Sequence, residues 1–155
     1  MKTKPLSILI TLILAALANT SASALEIIFA DHRDTHSFQR ISEFFTGQEN
    51  PGRYLIARTD PERRDGFYVS IKADRNDPLD QFTNARISYI KTASQDIHIS
   101  EIPLTGKMKK RILVGLTEEE WFEDKTYPHA WKIEFLDQSG QTLDSVQSFL
   151  WSLDK

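Results

Sequence analysis

The segment from Glu118 to Asp124 has the most unusual chemistry in the chain, because its acidic residues surround two large aromatic ones. Trp121 and Phe122 lie inside this acidic run, and Tyr127 follows it closely. Aromatic side chains often carry the hot spots of a binding surface, and the acids favour a cationic or hydroxyl-rich partner. We therefore predict a binding site formed by Trp121, Phe122 and Tyr127.

The same segment has a second interpretation, in which it closes one end of the fold. Thr117 is a suitable N-cap for a short helical turn, and acidic residues are favoured near the start of a helix. Trp121 and Phe122 would then act as a plug. The exposure of Trp121 separates the two interpretations: a partly exposed ring indicates a binding ledge, and a fully buried ring indicates a plug.

Two polar clusters contain the ligand types of a metal site. Asp31–His36 offers two imidazoles and two carboxylates, and His32 and His36 would share a face of a helix. Asp74–Asp80 offers oxygen ligands that suit calcium, but it lacks the glycine and the distal Glu of a helix-loop-helix calcium site. Turn chemistry explains both clusters without an ion. We predict no metal and no cofactor, and the sequence leaves calcium at Asp74–Asp80 open.

Motifs of known enzymes are missing from the sequence. It contains no Gly-x-Ser-x-Gly, no cysteine, no glycine-rich phosphate loop and no His-Glu-x-x-His. Its serine, histidine and aspartate residues show no spacing that pairs them. The sequence therefore predicts a protein that is not an enzyme.

Positive charge is concentrated at Lys107, Lys109, Lys110 and Arg111. In a strict up-and-down order of strands, this basic run lies at the same end of the fold as Asp74–Asp80. Mutual compensation of charge is one interpretation of that arrangement. Binding of an acidic partner or an anionic envelope polymer is the other.

The N-terminus has the pattern of a secretory signal peptide. Two lysines precede an apolar run at Leu6–Leu17, and Ala22–Ala24 is a small-x-small cleavage site. Residues 1–24 are therefore predicted to be a signal peptide, and residues 25–155 a single domain in the periplasm or the medium. Cleavage removes two lysines and no acid, so the mature chain is more acidic than the net charge of −3 of the whole sequence. That balance argues against nucleic acid as a partner, and no second apolar stretch predicts a membrane span.

The rest of the chain alternates in the manner of β-strands, with turn residues at regular intervals. About seven or eight strands follow, which predicts an all-β, antiparallel sandwich of the immunoglobulin-like or fibronectin-III-like kind, with a closed barrel as the alternative. Residues 37–46 are the exception, because Phe38, Ile41 and Phe45 fit a helical face; we expect one helical turn or irregular structure leading into a short edge strand. The predicted strands before the last hairpin cover Leu25–Ala30, Arg53–Thr59, Gly66–Ala73, Ala85–Thr92, Ile97–Ile102 (with Ile97 and Ile99 facing inward) and Lys110–Leu116.

The last part of the chain, Ala130–Trp151, reads as a β-hairpin with a turn at Gly140. Its first strand alternates large apolar residues with charged ones, and the return strand runs from Thr142 to about Trp151. A slip in the alternation predicts a bulge near Ser145–Gln147. The residues expected to anchor the core are Trp131, Phe135, Phe149 and Trp151.

Short sequence words run through the mature chain in a fixed order: Arg58-Thr-Asp-Pro, Arg64-Asp-Gly-Phe-Tyr, Gly115-Leu-Thr, Ala130-Trp-Lys-Ile-Glu and Ser148-Phe-Leu-Trp. In this order the chain resembles small exported bacterial β-sandwich proteins of unknown function. The resemblance implies a fold and a compartment, and no activity. We expect a non-catalytic binding or structural module of the cell envelope, with an unknown protein or glycan partner. The alternative is a carbohydrate-binding module that uses the aromatic residues of the 117–129 loop.

Overall fold

The computed structural model describes residues 25–74, 79–118, 121 and 127–152; the predicted signal peptide and Phe122 lie outside them. Within those residues the fold consists of eight strands, one short α-helix and three 3-10 turns. The strands are β1 Glu26–Arg33, β2 Tyr54–Arg58, β3 Gly66–Lys72, β4 Asn84–Ile90, β5 Ile97–Pro103, β6 Arg111–Leu116, β7 Ala130–Leu136 and β8 Thr142–Gln147. The helix is α1 Ile41–Thr46, and the 3-10 turns are Thr35–Ser37, Leu79–Gln81 and Leu150–Ser152.

The strands form two sheets of four. The first sheet has the order β1-β3-β6-β2, and the second has the order β5-β4-β7-β8. Neighbouring strands are antiparallel except for β2 and β6, which are parallel, so the first sheet is mixed. The predicted all-β sandwich of seven or eight strands is confirmed, but the prediction that its strands are all antiparallel is wrong for β2 and β6.

The main core lies between the two sheets and contains the inward positions of the regular strands. Alternate side chains of a strand point to opposite faces, so Phe67, Val69 and Ile71 of β3 enter the core together, as predicted. They belong to the same buried cluster as Ile133 and Phe135 of β7, which are also fully buried. Burial of each such side chain stabilises the fold by about 1.5–3 kcal/mol. The core therefore supplies the main apolar contribution to the stability of the sandwich.

The C-terminal hairpin differs from the prediction in its return strand. β8 ends at Gln147 because Ser148 uses its side chain on the backbone: its Oγ accepts hydrogen bonds from the N–H groups of Trp131 and Trp151, at 3.0 and 3.4 Å. The chain then turns into a 3-10 helix, which leaves Phe149 77% exposed and Trp151 half-buried. The prediction that Phe149 and Trp151 anchor the core is wrong.

The predicted bulge in the hairpin also lies elsewhere. The register shifts between the pairs Phe135–Asp144 and Leu136–Thr142, so Leu143 of β8 is the extra residue, and the predicted position near Ser145–Gln147 is wrong. The extra residue therefore belongs to the return strand and lies two positions before the predicted one.

Strand β5 presents the opposite face to the one predicted. Ser100 pairs with the buried Ile87, so the positions of β5 that face inward are His98, Ser100 and the buried Ile102. His98 stacks on Tyr89 with ring centroids 5.3 Å apart, and Ile97 and Ile99 are exposed. A change of one residue in phase moves every side chain of a strand to the other face. Because β5 is an edge strand, its inner side accepts polar residues.

The outer face of the first sheet carries a second, smaller apolar cluster. Tyr68 points outward, as predicted, yet it is fully buried because Phe38 covers its ring with centroids 4.9 Å apart. The ring lies flat across Gly115, where a Cβ atom would come within 2.3 Å of it. The segment between β1 and β2 therefore packs on this face as a cover.

Truncation of Trp131 tests the assignment of the main core. Trp131 is buried against the sheets, so Trp131→Ala should lower the free energy of unfolding by about 3–5 kcal/mol, as large-to-small changes at buried aromatic residues do. Phe149→Ala is the matched control at an exposed aromatic residue, with an expected change within about 0.5 kcal/mol. Urea unfolding of both variants measures the two values; equal losses would contradict the burial pattern.

Candidate functional site

The predicted aromatic site is divided by the structure. Trp121 is 2% exposed and packs edge-on against Tyr89, with ring centroids 5.3 Å apart. Its carbonyl oxygen lies 3.1 Å from His32 Nε2. This is the plug arrangement, so the Trp121 ring offers no stacking surface. Tyr127 is 49% exposed, and Phe122 lies outside the described residues.

The residues of the predicted metal cluster diverge. β1 continues to Arg33, so Asp31 and His32 point to opposite faces of a strand. His32 turns toward Trp121, whereas His36 lies 3.3 Å from the Gln39 side chain. Within the described part of the chain, no three His, Cys, Asp or Glu side chains are grouped as a metal would require. Residues 75–78 of the predicted calcium loop lie outside that part.

A shallow polar cleft of about 650 Å³ opens where Tyr127 meets β1. The Tyr127 hydroxyl donates a hydrogen bond of 2.6 Å to Asp31 Oδ1, and this bond lowers the pKa of Asp31 and raises that of Tyr127. Arg33 lies over the ring of Phe29 at 4.4 Å from its centroid, and Asp34 completes the rim. The cleft thus combines one half-exposed aromatic ring with charged hydrogen-bonding groups, which suits a hydroxyl-rich ligand.

An ionic network holds the covering segment to the first sheet. Arg58 of β2, whose side chain is 7% exposed, donates two hydrogen bonds of 2.7 Å to the carboxylate of Glu49. Its Nε donates a third to the hydroxyl of Tyr68, which in turn donates to the carbonyl oxygen of Arg64. Arg64 pairs with Glu43 of α1 at 2.5 Å. The network joins β2, β3 and α1 through contacts that require fixed geometry.

The pKa values in the network follow from burial and pairing. The hydrogen bonds from Arg58 hold the pKa of Glu49 below its ordinary value against the effect of burial. Burial opposes the charge of Arg58 and is the largest single effect on its pKa, but the interactions with Glu49 and Tyr68 together outweigh burial and raise the pKa. Burial raises the pKa of Tyr68 to about 12. All three groups therefore keep the protonation states that the network needs at neutral pH.

Helix α1 directs its apolar face toward solvent rather than toward the protein. Ile41, Phe44 and Phe45 are spaced i, i+3 and i+4, so they share one helical face, and they are 78%, 83% and 85% exposed. The polar face points toward the protein instead: Glu43 binds Arg64, and the Ser42 hydroxyl accepts a hydrogen bond from Asn50. We call Ile41, Phe44 and Phe45 the apolar face of α1.

The predicted helical turn in residues 37–46 is confirmed by α1, but the edge strand that was expected to follow it is not formed. Gly47 adopts a left-handed conformation at φ +65° and ends the helix. Sequence spacing indicated the apolar face of α1, whereas no local pattern pairs Glu43 with Arg64. The direction in which the face points could not be read without that pair.

Positive charge gathers beside α1. Arg33 and Arg40 line a cavity of about 100 Å³ next to the helix, and Arg40 also borders the depression beside Phe44. Lys109 donates to the carbonyl oxygens of Gly52 and Tyr54 at 2.8 and 3.2 Å, which brings the basic run close to this surface.

The basic run also lies where the strand order predicted. The N–H of Ala73 donates to the carbonyl oxygen of Lys110 at 2.8 Å, so the run begins β6 beside the start of the Asp74–Asp80 loop.

Comparison of the chain with protein-family models, with curated proteins and with solved structures finds no match to any of them. Within the described residues, no helix has the length and apolar character that a membrane crossing requires.

Replacement of Glu49 tests the ionic network. Glu49→Gln removes the charge that pairs with the buried Arg58, so the free energy of unfolding at pH 7 should fall by roughly 1–3 kcal/mol. Because the folded-state pKa of Glu49 is lowered, its contribution is present above the ordinary glutamate pKa of about 4.3 and is lost as the pH falls through the folded-state value.

Unfolding in urea at a series of pH values measures this dependence. The stability difference between wild type and Glu49→Gln should shrink on acidification below about pH 4.3. Glu101→Gln is the control, because Glu101 pairs with Arg86 on an exposed surface. A difference that stays constant with pH would contradict the role of the Glu49 charge.

Proposed function

We propose that the protein is an exported, non-catalytic β-sandwich domain that binds a component of the cell envelope through the apolar face of α1. The observation that carries the proposal is the orientation of the helix: its polar face is bonded to the protein and its apolar face points into water. A helix on a protein surface ordinarily has the reverse arrangement. An outward apolar face supports a binding role, because only a partner can cover it.

The size of the exposed surface supports the same role. A phenylalanine side chain carries about 150–250 Å² of surface, so Phe44 and Phe45 together leave on the order of 300 Å² in water. Ile41 extends that area. Apolar patches of about 300–600 Å² on monomeric proteins are often functional. Burial of each large side chain is worth about 1.5–3 kcal/mol, so a partner that covers the face gains a substantial contribution.

The rest of the chain supports a binding protein more than an enzyme. The sequence lacks the motifs of common catalytic sites, and the polar cleft at Tyr127 holds Asp31 with a lowered pKa. A general base works best when its pKa is close to the operating pH, so a lowered pKa makes this carboxylate a poor base. Export is supported by the signal-peptide pattern of residues 1–24 and by the resemblance to small exported β-sandwich proteins.

The strand order supports an immunoglobulin-like or fibronectin-III-like fold. If β1, β3, β4, β6, β7 and β8 correspond to strands A, B, C, E, F and G, the sheets contain the neighbours A-B-E and C-F-G of that class. β5 then extends the second sheet beside strand C. β2 takes the edge position of strand D, and it runs parallel to its neighbour because it comes from the connection between A and B. Domains of this class commonly bind through their loops and edges.

The alternative function is carbohydrate binding at the polar cleft. Tyr127 presents half of its ring beside Asp31 and Arg33, and this combination of an aromatic face with charged hydrogen-bonding groups suits a sugar. Of the predicted trio, Tyr127 carries this alternative, since Trp121 is buried.

Loss of the apolar face should separate binding from stability. The double variant Phe44→Ser/Phe45→Ser should keep the melting temperature of the wild type, because both side chains are exposed, and should lose association with the envelope fraction. The matched control is Ile97→Ser/Ile99→Ser, which removes two exposed apolar residues from β5. Cell fractionation followed by immunoblotting measures the association of each variant. Retention of the Phe44/Phe45 variant in the envelope fraction would contradict the proposal.

Replacement of Tyr127 tests the alternative. Tyr127→Ala should abolish binding on a glycan array if the cleft is a carbohydrate site, and Tyr127→Phe should weaken it by losing the hydrogen bond to Asp31. Phe149→Ala is the control for loss of an exposed aromatic ring. If the wild type binds no glycan, the carbohydrate interpretation is wrong.

A further inference from the structure

We infer that the apolar face of α1 docks on an anionic phospholipid surface, with its phenylalanines in the interface and the neighbouring cations on the headgroups. This inference rests on the proposed function and names the partner of the same site. It follows from the charges that surround the helix. Amphipathic elements that lie in a membrane interface combine large apolar residues with a cationic border.

The acidic residues nearest to α1 are neutralised within the protein. Glu43 pairs with Arg64, and Glu49 pairs with Arg58, so both carboxylates face the first sheet. Their charges are balanced by cations that belong to the network. The network therefore leaves no uncompensated negative charge from Glu43 or Glu49 on this surface.

Two of the cations near α1, in contrast, have no paired carboxylate among the described residues. Within the described residues, no carboxylate lies within 4.0 Å of the guanidinium of Arg40 or of Arg53. Both side chains belong to exposed residues, and Arg40 lies against Gly52, whose carbonyl oxygen accepts a bond from Lys109. Arg40 and Lys109 therefore both lie at Gly52, Arg53 follows Gly52 in the chain, and Arg40 adjoins the apolar face. We call these three residues the cationic group.

The cationic group is continuous with the apolar face. Arg40 immediately precedes α1 and borders the same depression as Phe44. It also lines, together with Arg33, the cavity of about 100 Å³ beside the helix. A lipid surface satisfies all of these features together, because its headgroups are anionic and its acyl boundary is apolar.

A protein groove is the competing occupant, and the charge arrangement favours lipid over it. The apolar face lies on one short helix, and its three side chains are between 78% and 85% exposed. A lipid interface accepts such a projection at any rotation about the membrane normal. The proposal therefore commits to an anionic phospholipid surface and leaves a protein partner as an outcome of the test.

Vesicle sedimentation tests the inference with the mature chain, residues 25–155. The vesicles contain phosphatidylcholine alone or phosphatidylcholine mixed with phosphatidylglycerol. The wild type should sediment with the mixed vesicles far more than with phosphatidylcholine alone, and added salt should weaken the binding. Arg40→Gln/Arg53→Gln should lower the partition coefficient roughly fivefold for each cation removed. Phe44→Ser/Phe45→Ser should abolish sedimentation.

Two controls carry matched changes away from α1. Ile97→Ser/Ile99→Ser removes apolar surface, and Arg86→Gln removes a cation that pairs with Glu101; both should sediment as the wild type does. Thermal melts check the folding of every variant, and the single variant Phe45→Ser replaces the double variant if that one unfolds.

Each remaining result overturns the inference. If the wild type ignores mixed vesicles while envelope association still requires Phe44 and Phe45, the partner is a protein or a polymer, and the proposed function stands without the lipid. Equal binding by Arg40→Gln/Arg53→Gln and the wild type removes the role of the cations. Vesicle binding that survives Phe44→Ser/Phe45→Ser shows that the apolar face is not the site, and then the proposed function fails as well.

Discussion

Arg58 is a charged side chain that is almost completely buried, and the arrangement of the surface around α1 depends on how its charge is compensated. Two hydrogen bonds to Glu49 and one to Tyr68 occupy its guanidinium. A buried ion pair contributes little net stability compared with an apolar replacement, but removal of one partner is costly. The pair therefore specifies geometry more than it stabilises. It fixes the segment between β1 and β2 on the outer face of the first sheet, and all the surfaces considered for binding border that segment.

The network holds α1 with its apolar face toward solvent, whereas apolar packing alone would turn that face toward the sheet. The hydrophobic effect has no direction, so a short helix with Ile41, Phe44 and Phe45 on one side would turn that side toward the sheet. Rotation of the helix would separate Glu43 from Arg64 and leave the Glu43 carboxylate without this ion pair, while Arg64 would keep only its longer contact of 3.8 Å with Glu49. The polar contacts on one face of the helix therefore account for the exposure of the aromatic residues on the other face. The main core between the sheets does not depend on α1, because it contains residues of both sheets and none of α1.

The sequence predicted the parts of the fold that repeat with a period of two. The strand β3, its inward residues, the all-β class and the number of strands follow from alternation, which burial on one face enforces. The prediction failed where one side-chain contact decides the outcome. Ser148 ends β8 by binding the backbone of Trp131, so Phe149 leaves the core. His98 stacks on Tyr89, so β5 turns Ile97 and Ile99 outward. For the binding surface, the spacing of α1 was visible, but the direction of its apolar face depends on the contact between Glu43 and Arg64, which are 21 positions apart without a local pattern.

The separation of the two apolar clusters explains how a small domain can keep large side chains in water. The core between the sheets buries the aromatic residues that secure the fold, including Trp121 at its margin. The outer cluster of Phe38, Tyr68 and Leu113 needs only the covering segment, and Gly115 lets the Tyr68 ring lie flat against β6. Neither cluster draws on Phe44 or Phe45. A change at these two positions therefore alters what the surface can bind while leaving the packing of the sandwich intact. Glu49 and Arg58 do not belong to the apolar face of α1, but they hold the segment that carries it. Loss of either residue would therefore change how this face is presented while leaving Phe44 and Phe45 in place.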